Sequence, residues 1–544
     1  MRWIDWERFG VVDDRNVKAS LALPIWNGRK KLGLQGIRKT TANYSLGWNM
    51  RKQEKQSPSE VLCGNSELKN RSDWLDSHES GYSKHLKKRH VQMMALGGAI
   101  GTGLFLGAGA RLQIAGPALA VVYLVCGIFA FFILRALGEL VMHRPSSGSF
   151  VSYTREFMGE RASFVAGWMY FVVWALTGVV DITAIAIYMK YWSVFSDVPQ
   201  WVFALSALGV VTLMNMVGVK WFGEMEFWFA VIKVAAISIF LVIGSFFFAT
   251  GHEVAGHIPG LHLITDNGGI FPHGLLPAII IVQGVIFAYA SIELVGTAAG
   301  ETADAKSVIP KAINGVIWRI GLFYVGSVFL LVTVLPWTAY SANVSPFVTF
   351  FEALGIPGIG SVMNIVVMTA ALSSLNSGLY ATGRVLRSLA MGGSAPKMFK
   401  RMSTQGVPYM GILVTMGINV FGVVLNFLIP SQLFELLLNL VSLGILSTWA
   451  FIVLSQINYR RAVKRGEVEM VSFKMPGAPF TSWLTLGFLL VVLILLGFDY
   501  PNGTYTVLSI PLVAGALMLG WSKSVRSRAK GFEEFERNSS QVGV

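Results

Sequence analysis

A chain of 544 residues that is 53% hydrophobic and only 14% charged, with mean hydropathy +0.57, is too apolar for an ordinary soluble protein, in which about a quarter of residues are charged. The net charge of +14 comes from 44 Lys and Arg against 30 Asp and Glu, but the basic residues fall between long apolar runs instead of forming one face, so no nucleic-acid partner is expected. Cys63 and Cys126 are the only cysteines, one in a polar leader and one inside an apolar run; they supply neither a disulfide framework nor a metal cluster, and no metal or cofactor is expected.

Residues 1–90 hold 18 Lys or Arg and 10 Asp or Glu, with Trp3, Trp6, Phe9 and Trp26 scattered without helical or strand period. This composition reads as a disordered cytosolic tail, and it lacks the apolar core of a cleavable signal. Met50 opens a more ordinary polar leader, MRKQEKQSPSE, so residues 1–49 are either part of that tail or a start-site artefact.

Twelve apolar runs follow, near 91–113, 116–142, 162–191, 200–219, 225–249, 275–300, 315–337, 360–390, 408–429, 432–457, 480–498 and 502–522. They predict an all-α integral membrane protein in the lipid bilayer, with residues 91–522 as one domain and 523–544 as a C-terminal tail. The connections 249–274, 337–360 and 498–503 contain no Lys or Arg. The alternate side carries Lys87, Lys88 and Arg89, then Arg144, Arg155 and Arg161, then Lys397, Lys400 and Arg401, and finally Arg460, Arg461, Lys464 and Arg465. The positive-inside rule makes that side cytoplasmic, with both termini inside.

The first run, VQMMALGGAIGTGLFLGAGA from Val91, is uncharged until Arg111. At 1.5 Å of rise per residue, Gly101 to Gly103 lie about 15 Å in, near the bilayer midplane. Glycines there weaken a helix whose freed backbone groups find no partners in lipid, so a break of this kind belongs beside a cavity. The plainer alternative is close helix packing, for which Gly97 and Gly101 have the small-xxx-small spacing. The run 275–300 repeats the theme in FAYASIELVGTAAGE (287–301), with Ala288, Ala290 and Ser291 at depth and a carboxylate, Glu293. These two runs are five apart and run in opposite directions. Their placement is that of a five-plus-five inverted repeat, 91–249 and 275–457, whose broken first members face each other. The half-helix after Gly101 presents N–H groups and a positive dipole end, suited to a carboxylate. The first half of the later run ends near Phe287 to Ala290 in carbonyls, suited to an ammonium. Together they form a pocket for a zwitterion, and carrying an amino acid is its simplest use.

Other polar residues in the runs are candidates. Lys233 sits eight residues after Met225, about 12 Å inside the cytoplasmic end; it either snorkels to the headgroups or is a buried amine that gains and loses a proton. Glu293 is the second proton candidate, or else an acceptor for unwound backbone. Asp181 is a pocket residue or a helix–helix contact. Glu139 with Arg135, and Arg384 with Arg387, are read as cytoplasmic gate or interface contacts. His143, His252, His257, His262 and His273 lie outside the apolar runs without ligand spacing.

Several stretches carry a family resemblance: GGAIGTGLFLGAG (97–109), FFILRALGELVMHRPSSGSF (131–150), GVKWFGEMEFWFAVIKV (218–234), HLITDNGGIFPHGLLP (262–277), ASIELVGTAAGE (290–301), AALSSLNSGLYATGRVLRSLAMGGSAP (370–396) and PGAPFTSWLTL (476–486). Over roughly residues 74–522 the chain resembles the amino acid transporter family of the amino acid–polyamine–organocation superfamily. The resemblance implies a LeuT-type fold and proton-coupled uptake of a neutral polar amino acid. It implies that Gly101, Thr102 and Gly103 hold the substrate carboxylate, and that carbonyls of Ala99, Phe287 and Ala290, with Ser291 beside them, receive the ammonium. The Phe287 ring would close over substrate, and Lys233 stands where proton-coupled relatives place a lysine. The same fold carrying glycine, D-serine, D-alanine or aromatic amino acids, or working as an exchanger, remains an open alternative. No nucleophile–base motif points to an enzyme.

Overall fold

A computed structural model describes residues 88–541 apart from 98, 99, 303, 343 and 429–432. The tail and start-site readings over residues 1–87, Cys63 and the substrate-site candidate Ala99 therefore lie outside the described residues. Among the described residues the fold is helical, with one isolated β-bridge between Val254 and His257.

The first apolar run is three pieces: α1 (Lys88–Gly97), α2 (Thr102–Phe105) and α3 (Gly107–Ala115). Continuous helices follow: α4 (Ala118–His143), a short α5 (Ser149–Met158), α6 (Glu160–Met189), α7 (Gln200–Val217) and α8 (Val219–Thr250). A second interruption separates α9 (Leu275–Ala288) from α10 (Leu294–Ala299). The chain continues with α11 (Ala305–Val334), α12 (Ile359–Met391), α13 (Tyr409–Leu428), α14 (Leu433–Lys464), α15 (Phe480–Leu496) and α16 (Asn502–Val525). Among the described residues nine helices are long and apolar enough to cross a membrane, and α9 and α15 are shorter apolar helices. The pieces of the first run are each too short, because the glycine-rich stretch stops α1 at Gly97.

Exposed apolar side chains fall in helical stripes. On α4, Val121, Leu124, Val125 and Ile128 are exposed, and on α8 Trp221, Trp228, Ile232, Ile239 and Val242. In water such surfaces would drive association; against lipid they are the expected outer face. α6 is the most enclosed of the long helices and packs chiefly on α12 and α14. Its sequence explains this: small and aromatic residues occur all round it, and Asp181 is its one acid between Arg161 and Lys190.

Buried ion pairs tie helix ends together, Glu139 and Arg384 each joining one. Glu139 does not pair with Arg135. Its carboxylate takes Arg460 of α14 through Nε at 2.8 Å and Nη2 at 3.0 Å, Gln456 Nε2 at 3.0 Å and the backbone N–H of Met475 at 3.1 Å. Arg135, one helical turn away, instead bonds Asn314 Oδ1 at 2.7 Å and the Lys474 carbonyl, with its guanidinium 3.7 Å from the centre of the Phe473 ring. A bidentate guanidinium plus two N–H donors satisfies a fully buried carboxylate, which a lone partner on the same helix could not. Glu139 is thus a clamp between α4, α14 and the segment before α15. Arg384 likewise grips Glu301 through both guanidinium arms, with Nη2 to Oε2 at 3.1 Å.

Replacing Arg460 by Ala leaves the Glu139 carboxylate buried without its cation, an expected loss of about 3–5 kcal/mol. Thermal unfolding in detergent should show a clearly lowered midpoint, and adding Glu139→Gln should restore part of it. An unchanged midpoint would refute the clamp.

Candidate functional site

The two interruptions meet. A Cβ added at Gly103 would fall 2.6 Å from Ala288 Cα and 2.9 Å from Phe287 Cδ1, so the start of α2 is pressed onto the end of α9 with no room for a side chain. Gly97 is equally tight against α8, where a Cβ would lie 2.4 Å from Ala230 Cβ. Gly101 is different: a Cβ there would meet nothing within 4 Å among the described residues. Close packing therefore accounts for Gly97 and Gly103, while Gly101 borders open space.

Around that space the backbone is unwound. Gly101 is extended, at φ −128° and ψ −162°, and its carbonyl accepts the first bonds of α2 from Leu104 and Phe105, both at 3.2 Å. No carbonyl among the described residues accepts from the N–H groups of Gly101, Thr102 or Gly103, as befits a helix start. Thr102 Oγ1 donates to Asp181 Oδ1 at 3.1 Å, which joins the first break to α6. On the other side, Ser291 holds a left-handed φ of +75°, a conformation that disfavours a non-glycine residue by roughly 1–2 kcal/mol and persists only where surroundings impose it. The Phe287 carbonyl accepts from Ala290 N–H at 3.0 Å, and the Ala288 carbonyl from the Tyr324 hydroxyl at 3.0 Å. Among the described residues, the Ala290 carbonyl has no backbone donor.

Lys233 does not snorkel. Its side chain is buried, and Nζ donates to the Gly97 carbonyl at 2.7 Å and to Ser373 Oγ at 2.9 Å. Gly97 is the last residue of α1, so the ammonium sits on the negative end of a half-helix, where a cation is favoured. Ser373 in turn donates to Glu226 Oε1 at 2.6 Å, and Asn376 Nδ2 reaches Glu226 Oε2 at 3.4 Å. Sequence reasoning missed Glu226, Ser373 and Asn376. Glu226 lies at the start of its apolar run and resembles an interfacial acid; only its complete burial marks it.

Glu293 immediately precedes α10, buried, with Tyr170 and Trp449 beside it. The Tyr170 hydroxyl and Trp449 Nε1 are nonetheless without hydrogen-bond geometry to any described partner, as are Trp174 Nε1, Thr177 Oγ1, Asp181 Oδ2 and Ser377 Oγ. Tyr170, Trp174, Thr177 and Asp181 recur at steps of four, three and four residues, so they share one face of α6. Such buried polar atoms are rarely left unpaired in folded proteins unless a ligand or water answers them. Of the sequence candidates, Gly101, Thr102, Gly103, Phe287, Asp181 and Lys233 converge on the breaks, whereas Glu139 is engaged in its clamp.

Residues 90–529 match the amino acid permease family. An L-asparagine permease of Salmonella typhimurium (strain LT2) is 69% identical over 448 residues, covering 82% of this chain and 90% of that protein. The L-asparagine permease of Escherichia coli (strain K12) is 67% identical over the same length and shares, and one from Streptomyces coelicolor is 57% identical over 446 residues, 82% of this chain and 91% of that protein.

The open space at Gly101 separates two failure modes. Gly101→Val should fold and insert normally, because nothing obstructs the new side chain, yet lose transport, because the valine occupies the approach to the α2 amides. Gly103→Ala should fail earlier, at folded yield. Normal uptake by inserted Gly101→Val, measured with labelled substrate and normalised to membrane protein, would remove this break from the site.

Proposed function

The chain belongs to the amino acid permease family, and we propose that it takes up L-asparagine with protons across the bacterial cytoplasmic membrane, both termini facing the cytoplasm. The observation that carries this reading is the meeting of two interrupted helices beside open space, with a buried lysine of α8 on the carbonyl that ends one of them, in a chain 67–69% identical to two L-asparagine permeases. We read the architecture as twelve spans with a five-plus-five inverted repeat.

In this reading the substrate carboxylate docks on the amides of Gly101 to Gly103 and the Thr102 hydroxyl. The positive end of α2 favours it, and no side-chain cation is needed. The ammonium is met by the Ala290 carbonyl and the negative end of α9, with Ser291 beside them. A carboxamide side chain needs a donor for its oxygen and acceptors for its NH₂ group. The α6 face and its neighbours supply both: Tyr170, Trp174 and Trp449 offer O–H and N–H groups, while Asp181 and Glu293 offer carboxylate oxygens.

Lys233 couples the proton to the break. As an ammonium it holds the Gly97 carbonyl with a charge-assisted hydrogen bond, roughly twice as strong as that of a neutral amine. Loss of its proton loosens the end of α1 and thereby the start of α2. Glu293 is the second group able to carry a proton, from the other break.

Labelled asparagine should accumulate in proteoliposomes under an imposed pH gradient, an uncoupler should abolish it, and unlabelled asparagine should compete better than glycine, D-serine or aromatic amino acids. Lys233→Met, similar in length and uncharged, should bind asparagine and lose gradient-driven accumulation. Full accumulation by that variant would move coupling from Lys233 to Glu293.

A further inference from the structure

We propose that Ser373 and Glu226 form the relay through which Lys233 exchanges its proton with the cytoplasm; this rests on the reading of Lys233 as the coupling group. The three residues are buried, and their hydrogen bonds all point one way: Lys233 Nζ to Ser373 Oγ at 2.9 Å, then Ser373 Oγ to Glu226 Oε1 at 2.6 Å. A hydroxyl that accepts from an ammonium while donating to a carboxylate is already arranged for transfer. The N–H bond of Lys233 breaks toward Ser373 Oγ as the Ser373 O–H bond breaks toward Glu226 Oε1. Ser373 ends with a hydroxyl, Lys233 as a neutral amine and Glu226 as a neutral acid. No net charge is created. Two buried charges that each cost several kcal/mol to desolvate are exchanged for two neutral groups, so neither state is strongly disfavoured.

The direction is set by placement. Glu226 precedes Lys233 by seven residues on α8, two turns or about 10 Å nearer the cytoplasmic end, and a helical lysine stem leans back toward its own N-terminus. The same order appears on α12, which runs toward the cytoplasm: Ser373, then Asn376, then Tyr380 and Arg384. Asn376 holds the far oxygen of Glu226 and is itself fixed by Asn215 Nδ2 at 2.7 Å. Beyond it the Phe222 and Tyr380 rings stack at 3.9 Å with 6° between planes, and the Arg384 guanidinium lies 3.4 Å from the Tyr380 ring centre while paired to Glu301. Phe222 is one turn before Glu226 on α8 and Tyr380 one turn after Asn376 on α12, so the stack lies about one turn nearer the cytoplasmic end than the carboxylate. When that stack parts, the carboxylic acid is the first relay group that cytoplasmic water meets.

The charged groups acting on Lys233 are Glu226 on its own helix and Asp181 on α6, while α1 contributes the neutral Gly97 carbonyl and α12 the neutral Ser373. Asp181 is held by Thr102 at the substrate break, and no hydrogen bond joins it to Lys233 among the described residues. The continuous hydrogen-bonded path from Lys233 leads to Glu226.

The test compares wild type, Lys233→Met, Ser373→Ala, Ser373→Thr and Glu226→Gln in proteoliposomes. One assay measures asparagine accumulation under a pH gradient; the other measures counterflow of labelled against internal unlabelled asparagine, which requires no net proton movement. Ser373→Ala and Glu226→Gln should keep counterflow and lose about a hundredfold or more in the rate of gradient-driven accumulation, the lower end for a lost proton-transfer group, while Ser373→Thr, which keeps the hydroxyl, retains it. If Lys233→Met fails to accumulate but Ser373→Ala and Glu226→Gln accumulate like wild type, the relay is wrong and the coupling lysine stands. Normal accumulation by Lys233→Met would instead overturn the coupling reading itself. Loss of counterflow in both Ser373→Ala and Glu226→Gln would show that these residues maintain the architecture, and would also overturn the relay.

Discussion

A helix that stops inside a membrane must have its last carbonyls answered by the protein, because lipid cannot answer them. Here the Gly97 carbonyl at the end of α1 accepts from the Ile100 N–H at 3.0 Å and from the Lys233 ammonium at 2.7 Å. The glycine-rich stretch ends α1, and the charged donor ties that end to α8, beside the turn that leads to the Gly101 to Gly103 amides. Because the donor can be charged or neutral, the same contact that stabilises the break can also report a proton.

The break is held on three sides. Lys233 ties it to α8, Thr102 to Asp181 of α6, and the absence of a side chain at Gly103 seats it against the interrupted end of α9. The strained Ser291 belongs to the same arrangement: unwinding α9 from α10 leaves a residue at positive φ, and the packing around it maintains that cost. The buried clamps at Glu139–Arg460 and Glu301–Arg384 tie α4 to α14 and the end of α10 to α12, away from the two interruptions.

Much of this was legible in the chain itself, for local reasons. Glycine clusters at depth announce interrupted helices, apolar runs announce helices, and a lysine inside an apolar run announces either a snorkel or a buried amine. What decided between those last two was three-dimensional: Nζ points to Gly97 and Ser373, which lie 136 and 140 residues away. The same limit hid Glu226, whose partners are on α12, and the partner of Glu139, a bidentate arginine 321 residues away. The glycine motif also proved composite. Its spacing fits packing and ligand binding alike, and only the surroundings of each Cα separate Gly97 and Gly103, which pack, from Gly101, which faces open space.

The central claim is that asparagine and protons move together through this site. It is tested most directly by loading proteoliposomes with a pH-sensitive dye, imposing no pH gradient, clamping the membrane potential, and adding asparagine outside. The account predicts that the interior acidifies as asparagine enters, in proportion to uptake and in step with it. Asparagine entry that leaves the interior pH unchanged would contradict it.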